Sequence, residues 1–395
     1  MRQLELIGRQ HKLFKEDLMA LEEELSYIVS SSKFLVVGGA GSIGKSVVQQ
    51  ILLRKPDALY VVDLSENELV ELVRVVRSSI EFEKTNIMTF AIDVNSNEFS
   101  AMFAAEGPFD FVLNLSALKH VRSESDPYTL MRMSQVNIIN SINLLRMCEA
   151  SGCNNYFCVS TDKAANPVNF MGASKRIMEM ALNSEKSDVM VTKARFANVA
   201  FSKGSLLEGF MNRISQDQPI TAPYDITRYF ITAEEAGQLC LLSCIFGNDG
   251  EIFFPKESKE LKLTSFVSIA EKIIKNSGFE PHVCSTEIEA RHMAKELIKD
   301  KRWPCYFFAS DTTGEKPYEE FYSSDEILDL SRFKSIGVIN EVRSCEEERL
   351  RKFLKRLNFL KAREKWTKLE ILDLYRSVLP TFDHADRGKS LNERM

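Results

Sequence analysis

The chain of 395 residues is 44% hydrophobic and 27% charged, a composition that is ordinary for a globular protein and excludes a mostly disordered chain. Its 51 basic and 56 acidic residues give a net charge of −5, so we expect no nucleic-acid partner. No apolar run approaches the roughly 18–20 residues of a membrane span, and neither CxxC nor HxxxH spacing occurs. We therefore expect a cytoplasmic protein with no membrane span, no disulfide framework and no metal.

Residues 1–32 are predicted to form an N-terminal helical arm. A seam of alternating three- and four-residue steps, interrupted by one histidine, runs through Leu4, Ile7, His11, Phe14, Leu18, Leu21, Leu25 and Ile28. This pattern permits two structures. The arm is either one amphipathic helix laid on the main domain or a helix that pairs with another subunit.

Strands and helices alternate over residues 33–200. The predicted strands are 34–37, 58–63, 87–93, 109–115, 156–160 and 189–196, and the predicted helices are 42–53, 66–80, 128–150 and 172–182. Continuous apolar strands separated by helices predict an α/β fold with a doubly wound, Rossmann-like parallel sheet. Such sheets bind ligands at the carboxyl ends of their strands.

Beyond residue 200 the alternation becomes irregular. Helices predicted at 206–215, 233–246 and 265–276, with short strands between them, indicate a smaller C-terminal substrate lobe over residues 201–340. Residues 341–395 are predicted to form a C-terminal helical extension, helical from Cys345 to Leu379. Its many basic residues favour a solvated helix face over a site for polyanions.

A glycine-rich loop between the first strand and the first helix predicts a dinucleotide site. Gly38, Gly41 and Gly44, with Ser42 and Ile43 between them, let a pyrophosphate approach the backbone and the helix N-terminus. A structural turn without a ligand is the alternative. Further cofactor-binding residues are predicted where the next strands end, at Asp63, Asp93, Val94, Ser116 and Ala117.

The residue at the end of the second strand bears on the choice of cofactor. A carboxylate at Asp63 accepts hydrogen bonds from ribose hydroxyls and repels a 2′-phosphate, which favours NAD. NADP stays open, because Lys45 or an arginine from elsewhere in the chain could reach a 2′-phosphate.

The stretch after the fifth strand carries candidate acid–base residues. Short-chain dehydrogenases place Tyr-x-x-x-Lys where this chain has Met171 and Lys175. Methionine cannot transfer a proton, so either the protein is catalytically inactive or another pair performs the acid–base steps. Asp162 and Lys163, predicted beside the nicotinamide, are the candidates for that pair.

Several segments together resemble one family. Ala117-Leu-Lys-His-Val121, Ser160-Thr-Asp-Lys-Ala164 with Met171-Gly-Ala-Ser-Lys175, Arg195-Phe-Ala-Asn-Val199 and Gly314-Glu-Lys are similar to the nucleotide-sugar 4,6-dehydratases of bacterial polysaccharide biosynthesis. These enzymes belong to the extended short-chain dehydrogenase/reductase superfamily and act on UDP-N-acetylglucosamine. Some members carry methionine at the tyrosine position, so Met171 does not by itself imply loss of activity.

The resemblance implies roles for individual residues. Asp162 would act as an acid toward O6 of the sugar, Lys163 as a base, Thr161 as a hydrogen-bond partner of O4, and Lys175 as a ligand of the nicotinamide ribose. The UDP-sugar would be held by Lys119, His120, Met171, Asn198, Ser205, Arg228 and Glu315. Of these, Asn198, Ser205 and Arg228 would hold the diphosphate and uridine, and Arg228 can bind phosphate oxygens through two N–H groups. The family likeness also implies a homo-oligomer, dimer or higher, formed through helices such as 128–150.

Two other functions remain open. A C4 epimerase of the same superfamily would return the hydride to C4, but it needs no acid at O6, which Asp162 would supply. A non-catalytic NAD-binding scaffold or sensor would explain Met171, but not the retention of Asp162, Lys163 and Lys175 together.

Overall fold

The computed structural model describes residues 3–82, 85–311, 314–340 and 347–384. Residues 1–2 of the predicted arm and residues 341–346 and 385–395 of the predicted extension lie outside this range. The strands within it are β1 (Lys33–Val37), β2 (Ala58–Asp63), β3 (Ile87–Ala91), β4 (Phe111–Asn114), β5 (Asn155–Thr161), β6 (Met190–Phe196), β7 (Asn198–Val199), β8 (Ile220–Pro223), β9 (Thr227–Arg228), β10 (Phe230–Ile231), β11 (Ile252–Pro255), β12 (Thr264–Ser265), β13 (Glu280–Val283), β14 (Arg302–Phe308), β15 (Ile327–Asp329) and β16 (Ile336–Asn340).

The helices pack on both sides of these strands. They are α1 (Gln3–Leu6), α2 (Lys15–Ser30), α3 (Ser42–Leu52), α4 (Glu66–Arg77), α5 (Asn97–Glu106), α6 (Pro127–Ser134), α7 (Asn140–Ser151), α8 (Phe170–Ser184), α9 (Leu206–Ser215), α10 (Ala233–Phe246), α11 (Phe266–Asn276), α12 (Glu287–Lys299), α13 (Glu347–Ala362) and α14 (Lys368–Arg376). A π-helical turn, Gln135–Ile139, joins α6 to α7, and short 3-10 turns cover Ile80–Phe82, Val121–Glu124 and Asp162–Ala164. None of the helices described is both long and apolar enough to cross a bilayer.

The main sheet confirms the predicted fold. In the described part of the chain it has nine strands in the order β15-β16-β11-β6-β5-β4-β1-β2-β3. The strands from β11 to β3 are parallel, and β16 and β15 add antiparallel pairs at one edge. The central strands β1 and β4 are apolar and almost fully buried because helices cover both faces of the sheet. The chain reverses its winding direction between β1 and β4, which is where such sheets bind ligands.

Two apolar layers hold the helices to the sheet. One layer includes Val47 of α3 and Leu239 of α10, both fully buried. The opposite layer contains apolar residues of α6, α7 and α8 together with Leu350 of α13 and Leu374 of α14. The C-terminal extension is therefore part of the second layer.

The predicted substrate lobe over 201–340 is only partly separate from the sheet. The sheet β13-β14-β8 packs with α9 and α11 around a core of its own, which includes Trp303 and Phe210. However, β11, β15 and β16 return to the main sheet. The predicted division at residue 200 therefore does not separate the sheet from the lobe, because long-range strand pairing leaves no local sequence signal.

The N-terminal arm is not the single helix that the seam predicted. It forms α1 and α2, and His11 is exposed in the segment between them. Arg9 in that segment makes a buried ion pair with Glu235 of α10 at 2.5 Å. Phe14 and Val29 are fully buried in the core of this chain. The arm therefore packs against its own main domain, which was the first of the two predicted alternatives.

The C-terminal extension forms two helices where one helical stretch was predicted. A capping box between Thr367 and Glu370 starts α14 after a break. In the folded chain α13 packs against α8, and α14 packs against α6. The predicted long helix at 128–150, which the family likeness assigned to subunit pairing, is thus covered over its α6 portion by the same chain.

Candidate active site

The glycine loop after β1 has the geometry of a phosphate cradle. Gly38 has a φ of +75°, and a Cβ at this position would lie 2.8 Å from the backbone nitrogen of Ser116. A Cβ on Gly44 would lie 2.6 Å from the carbonyl carbon of Gly39. No side chain caps the N-terminus of α3, where Gly41 is the N-cap residue. The loop therefore presents backbone to a ligand and leaves no room for side chains.

A cavity of about 230 Å³ lies beside this loop at the carboxyl ends of the strands. Among the predicted cofactor residues, its lining includes Gly38, Gly41, Asp63, Asp93, Val94, Ser116 and Ala117. The Asp63 carboxylate is fixed there by the backbone N–H groups of Ala40 and Ser65, each at 3.0 Å. Ser42, Ile43, Gly44 and Lys175 are not part of the lining.

The lining residues that the sequence analysis missed include three from one helical stretch. Arg132, Val136 and Asn140 lie on the helical stretch after β4. The Arg132 guanidinium lies 3.6 Å from the Asp93 carboxylate. The three residues are spaced four apart, which places them on one face of the helical stretch. This spacing is the sequence signal that could have predicted them as a group.

Residues 202–205, here called the strap, cross from the substrate lobe to the phosphate loop. The backbone N–H of Lys203 donates to Ser42 Oγ at 3.0 Å, and Lys203 Nζ lies 2.5 Å from Glu68. Glu68 also pairs with Lys45 at 2.6 Å. Hydrogen bonds from Lys203 and Lys45 lower the pKa of Glu68 to about 2. The strap is thus held over the N-terminus of α3 by the hydrogen bond to Ser42 and the ion pair of Lys203 with Glu68.

Three of the predicted substrate residues contact or belong to the strap. Lys119 Nζ donates to the carbonyl oxygen of Lys203 at 3.0 Å, and burial lowers the pKa of the Lys119 ammonium. The His120 ring packs so closely on Gly204 that a Cβ there would lie 2.8 Å from Cε1. Ser205 Oγ accepts from the Glu208 N–H at 3.2 Å as the N-cap of α9. This cap uses the hydroxyl that was predicted to hold the diphosphate.

The predicted acid–base pair forms a compact cluster where β5 ends. Lys163 Nζ lies 2.9 Å from Asp162 Oδ1, and Asp162 is buried while 17% of the Lys163 side chain is exposed. Thr161 Oγ1 donates to the same Asp162 oxygen at 2.9 Å. Lys163 also donates to Asn198 Oδ1 at 3.3 Å. Asn198, predicted to hold the diphosphate and uridine, thus contacts Lys163 in this structure.

The first turn of α8 packs directly behind this pair. Asn169 caps the helix through the Gly172 N–H at 2.8 Å. A Cβ on Gly172 would lie 3.0 Å from the carbonyl carbon of Lys163. Met171 is buried, and its N–H donates to Glu124 Oε1 at 2.9 Å.

Lys175, one turn further along α8, is turned toward β5. Its Nζ donates to the carbonyl oxygen of Val159 at 2.9 Å, and complete burial lowers the pKa of the ammonium. In this arrangement Lys175 supports β5 from behind, and a contact with the nicotinamide ribose remains an expectation.

Arg228 and the segment after Gly314 form a second buried cluster. The Arg228 guanidinium donates to the carbonyl oxygens of Lys316 at 2.9 Å and Pro317 at 3.2 Å, and it faces Glu319 at 3.8 Å. These hydrogen bonds all come from Nη1, while Nη2 faces Glu319, and a contact of Arg228 with phosphate remains an expectation. Glu315 accepts a hydrogen bond from Ser310 Oγ. Burial raises the pKa of Glu319, a carboxyl that the sequence analysis missed.

Comparison with known proteins identifies the family. The family described as "Polysaccharide biosynthesis protein" matches residues 34–341. The chain belongs to this family. A capsular polysaccharide biosynthesis protein, CapD, of Staphylococcus aureus is 29% identical over 82% of the chain, which spans 49% of that relative's length.

Two further relatives of this family member carry enzymatic names. A UDP-N-acetylglucosamine 4,6-dehydratase (inverting) of Campylobacter jejuni is 28% identical, over 68% of this chain and 81% of the relative. A UDP-glucose 4-epimerase of Rickettsia bellii is also 28% identical, over 74% and 78%. These relatives confirm the predicted resemblance to the nucleotide-sugar dehydratase family and leave the epimerase alternative open.

Two solved structures share the fold of this family member. Pen from Bacillus thuringiensis aligns with a TM-score of 0.62 at 24% identity, over 80% of this chain and 88% of that one. A UDP-glucuronic acid 4-epimerase variant from Bacillus cereus, solved with NAD, aligns with a TM-score of 0.55 at 16% identity, over 74% and 90%. At these identities the likeness demonstrates the fold alone.

Proposed function

We propose that this protein is a lyase that catalyses the NAD-dependent 4,6-dehydration of a UDP-sugar, UDP-N-acetylglucosamine being the substrate favoured by the family likeness. The observation that carries the proposal is the Asp162–Lys163 ion pair at the end of β5, directly against the turn that carries Met171. This pair supplies an acid and a base within one hydrogen bond of each other. A 4,6-dehydration needs both, at O6 and at C5 of the sugar.

The residues around the cavity beside the glycine loop suit the pyrophosphate and the adenosine ribose of a nicotinamide dinucleotide. Gly38 and Gly44 leave room only for backbone there, and the uncapped N-terminus of α3 suits a pyrophosphate. Asp63 favours ribose hydroxyls over a 2′-phosphate, and Lys45 is engaged by Glu68. These contacts support NAD over NADP. When bound, the cofactor would accept the hydride of C4 and return it to C6.

The protons are moved by the Asp162–Lys163 pair. A 2.9 Å hydrogen bond joins the two side chains. The O4 proton passes through the Thr161 hydroxyl to Asp162, which delivers it to the departing O6 hydroxyl. Lys163, as the base, takes the proton from C5 and returns a proton to C5 when the hydride reaches C6. Thr161 and Asn198 orient the pair from opposite ends, through the Asp162 carboxylate and the Lys163 ammonium respectively. Met171 is not required for either transfer.

A C4 epimerase is the second candidate, supported by the similarity to the Rickettsia enzyme. It uses the same oxidation at C4 but loses no water, so it needs no acid at O6. The buried Asp162 carboxylate, hydrogen-bonded to Lys163, favours dehydration. A non-catalytic scaffold would leave both groups without a role.

Incubation of the purified protein with UDP-N-acetylglucosamine and NAD⁺, followed by mass spectrometry, separates these functions. Dehydration lowers the product mass by one water, whereas epimerisation leaves the mass unchanged and changes the sugar's NMR spectrum. Asp162→Asn, which keeps the size of the side chain but removes the acid, is expected to stop water loss. An unchanged substrate with fully loaded wild-type protein would contradict both enzymatic functions.

A further inference from the structure

The last described residues of the C-terminal extension reach the first turn of the helix that carries Met171. After α14 the chain continues through Phe382 to His384, and both residues are buried. The His384 ring lies 4.7 Å from the ring of Phe170, the first residue of α8, and Phe382 and Tyr375 contact the same ring. The extension therefore surrounds the start of α8.

His384 also meets a buried carboxylate. Its Nε2 lies 3.4 Å from Glu124 Oε2, and the two side chains are only 2% and 5% exposed. Among the residues that the structure describes, neither of these two atoms has a hydrogen-bond partner, and their own 3.4 Å approach lacks hydrogen-bond geometry. Because a buried carboxylate oxygen without a donor is costly, a small rotation of the imidazole that lets it donate to Glu124 would stabilise both groups.

The other oxygen of Glu124 holds the catalytic helix. Oε1 accepts the N–H of Met171 at 2.9 Å, and Met171 precedes Gly172, the residue in close contact with the backbone of Lys163. Glu124 lies in the 3-10 turn that follows Lys119 and His120. A displacement of Glu124 would therefore move both the substrate-side loop and the backbone that positions Lys163.

We propose that His384 and Glu124 are positioning residues of the Asp162–Lys163 site, through which the C-terminal extension fixes the first turn of α8. The part of this inference that concerns turnover rests on the proposed function. The mechanical part, that His384 holds α8 through Glu124, does not. His384 packs against Glu124, Glu124 accepts the Met171 N–H, and Gly172 contacts the backbone of Lys163.

Two substitutions separate the donor of His384 from its packing. His384→Phe keeps an aromatic ring against Phe170 but removes the N–H, whereas His384→Gln supplies an N–H donor without the ring. We expect His384→Phe to lower kcat about tenfold with KM unchanged, because a misplaced base affects the chemical step more than binding. His384→Gln should restore most of kcat. In a Glu124→Gln background, His384→Phe should have little further effect, because the two residues act as one unit.

The matched control is Trp366→Phe. Trp366 Nε1 donates to the Pro127 carbonyl oxygen at 2.9 Å, so this variant removes another anchor of the extension, one that holds the start of α6 and not the N–H of Met171. It is expected to lower the unfolding midpoint without a change in kcat. Equal losses of kcat in His384→Phe and Trp366→Phe would show a merely structural role and overturn the proposal.

Hydrogen exchange tests the mechanical part without any turnover. Peptides that cover residues 169–175 should exchange faster in His384→Phe than in wild type and return toward the wild-type rate in His384→Gln. Unchanged exchange in His384→Phe would overturn the proposal. If wild-type protein fails to convert a UDP-sugar, the proposed function falls, and the exchange rates still decide whether His384 holds α8.

Discussion

Gly172→Ala should displace Lys163, the base of the proposed mechanism, without removing any chemical group from the site. The added Cβ would lie 3.0 Å from the carbonyl carbon of Lys163 and 3.1 Å from its Cβ, where ordinary contacts begin at 3.4 Å. The nearest atom, the Lys163 carbonyl oxygen, lies closer still and belongs to the backbone, so it cannot rotate away. The two segments must therefore separate by up to about 1 Å, a misplacement that costs on the order of 10²-fold in rate. Overpacking of this kind also destabilises a protein by about 1–3 kcal/mol.

The assay compares Gly172→Ala with a glycine whose surroundings are flexible. In Gly209→Ala, within α9, the new Cβ meets only the end of the Arg213 side chain at 3.1 Å. Product formation from UDP-N-acetylglucosamine and urea unfolding are measured for both variants. We expect a large loss of kcat and stability for Gly172→Ala, with neither loss for Gly209→Ala. Wild-type kcat in Gly172→Ala would refute the claim that this contact positions Lys163.

Three further predictions concern the cofactor and the core. Gly38→Ala should abolish retention of the nicotinamide cofactor, measured by absorbance after gel filtration, because its Cβ meets the Ser116 backbone. Gly278→Ala, with the same positive φ but open space around it, should retain the cofactor. Lys203→Ala should speed cofactor exchange up to about fivefold, the range of exposed ion pairs, and high salt should do the same in wild type; an exchange rate unchanged by either would remove the strap from cofactor retention. Burial opposes ionisation of Glu179, but the charge and hydrogen bonds of Arg195 outweigh it and lower the pKa of Glu179 to about 2. This pair should therefore stabilise the fold fully above about pH 4.5, with the contribution lost as the pH falls toward 2. Glu179→Gln should lower the free energy of unfolding by about 2–3 kcal/mol at pH 7, compared with exposed Glu149→Gln, and an equal stability of the two variants would contradict this.

Local pattern predicted most of the sheet and the position of the site. The apolar strands and the helices between them fixed the Rossmann-like architecture, because each element carries its own periodicity. Gly38, Asp63 and Ser116 meet at one cavity because parallel strands end at one edge. Asp162 and Lys163 are adjacent in the chain, so a single turn of backbone is enough to bring their side chains together.

The features that the sequence could not predict depend on contacts between residues that are far apart in the chain. The heptad spacing of the arm did not reveal that Arg9 pairs with Glu235, more than 200 residues away, and this contact lies where the predicted helix breaks. The family likeness placed Arg228 at the diphosphate and uridine, but it did not reveal that this guanidinium also donates to the carbonyl oxygen of Lys316, which is 88 residues away. Glu124 and His384 were missed for the same reason, since neither has a motif and their meeting depends on the fold of the extension.

The fate of the C5 proton tests the central claim most directly. The reaction is run in heavy water with wild type, Lys163→Ala and the exposed control Lys186→Ala, and deuterium at C5 of the product and of recovered substrate is measured by NMR. Wild type and Lys186→Ala should form the 4-keto-6-deoxy product with solvent deuterium at C5. Lys163→Ala should show neither product nor exchange while keeping its cofactor. Deuterium incorporation at the wild-type rate in Lys163→Ala would contradict the account, because the base would then lie elsewhere.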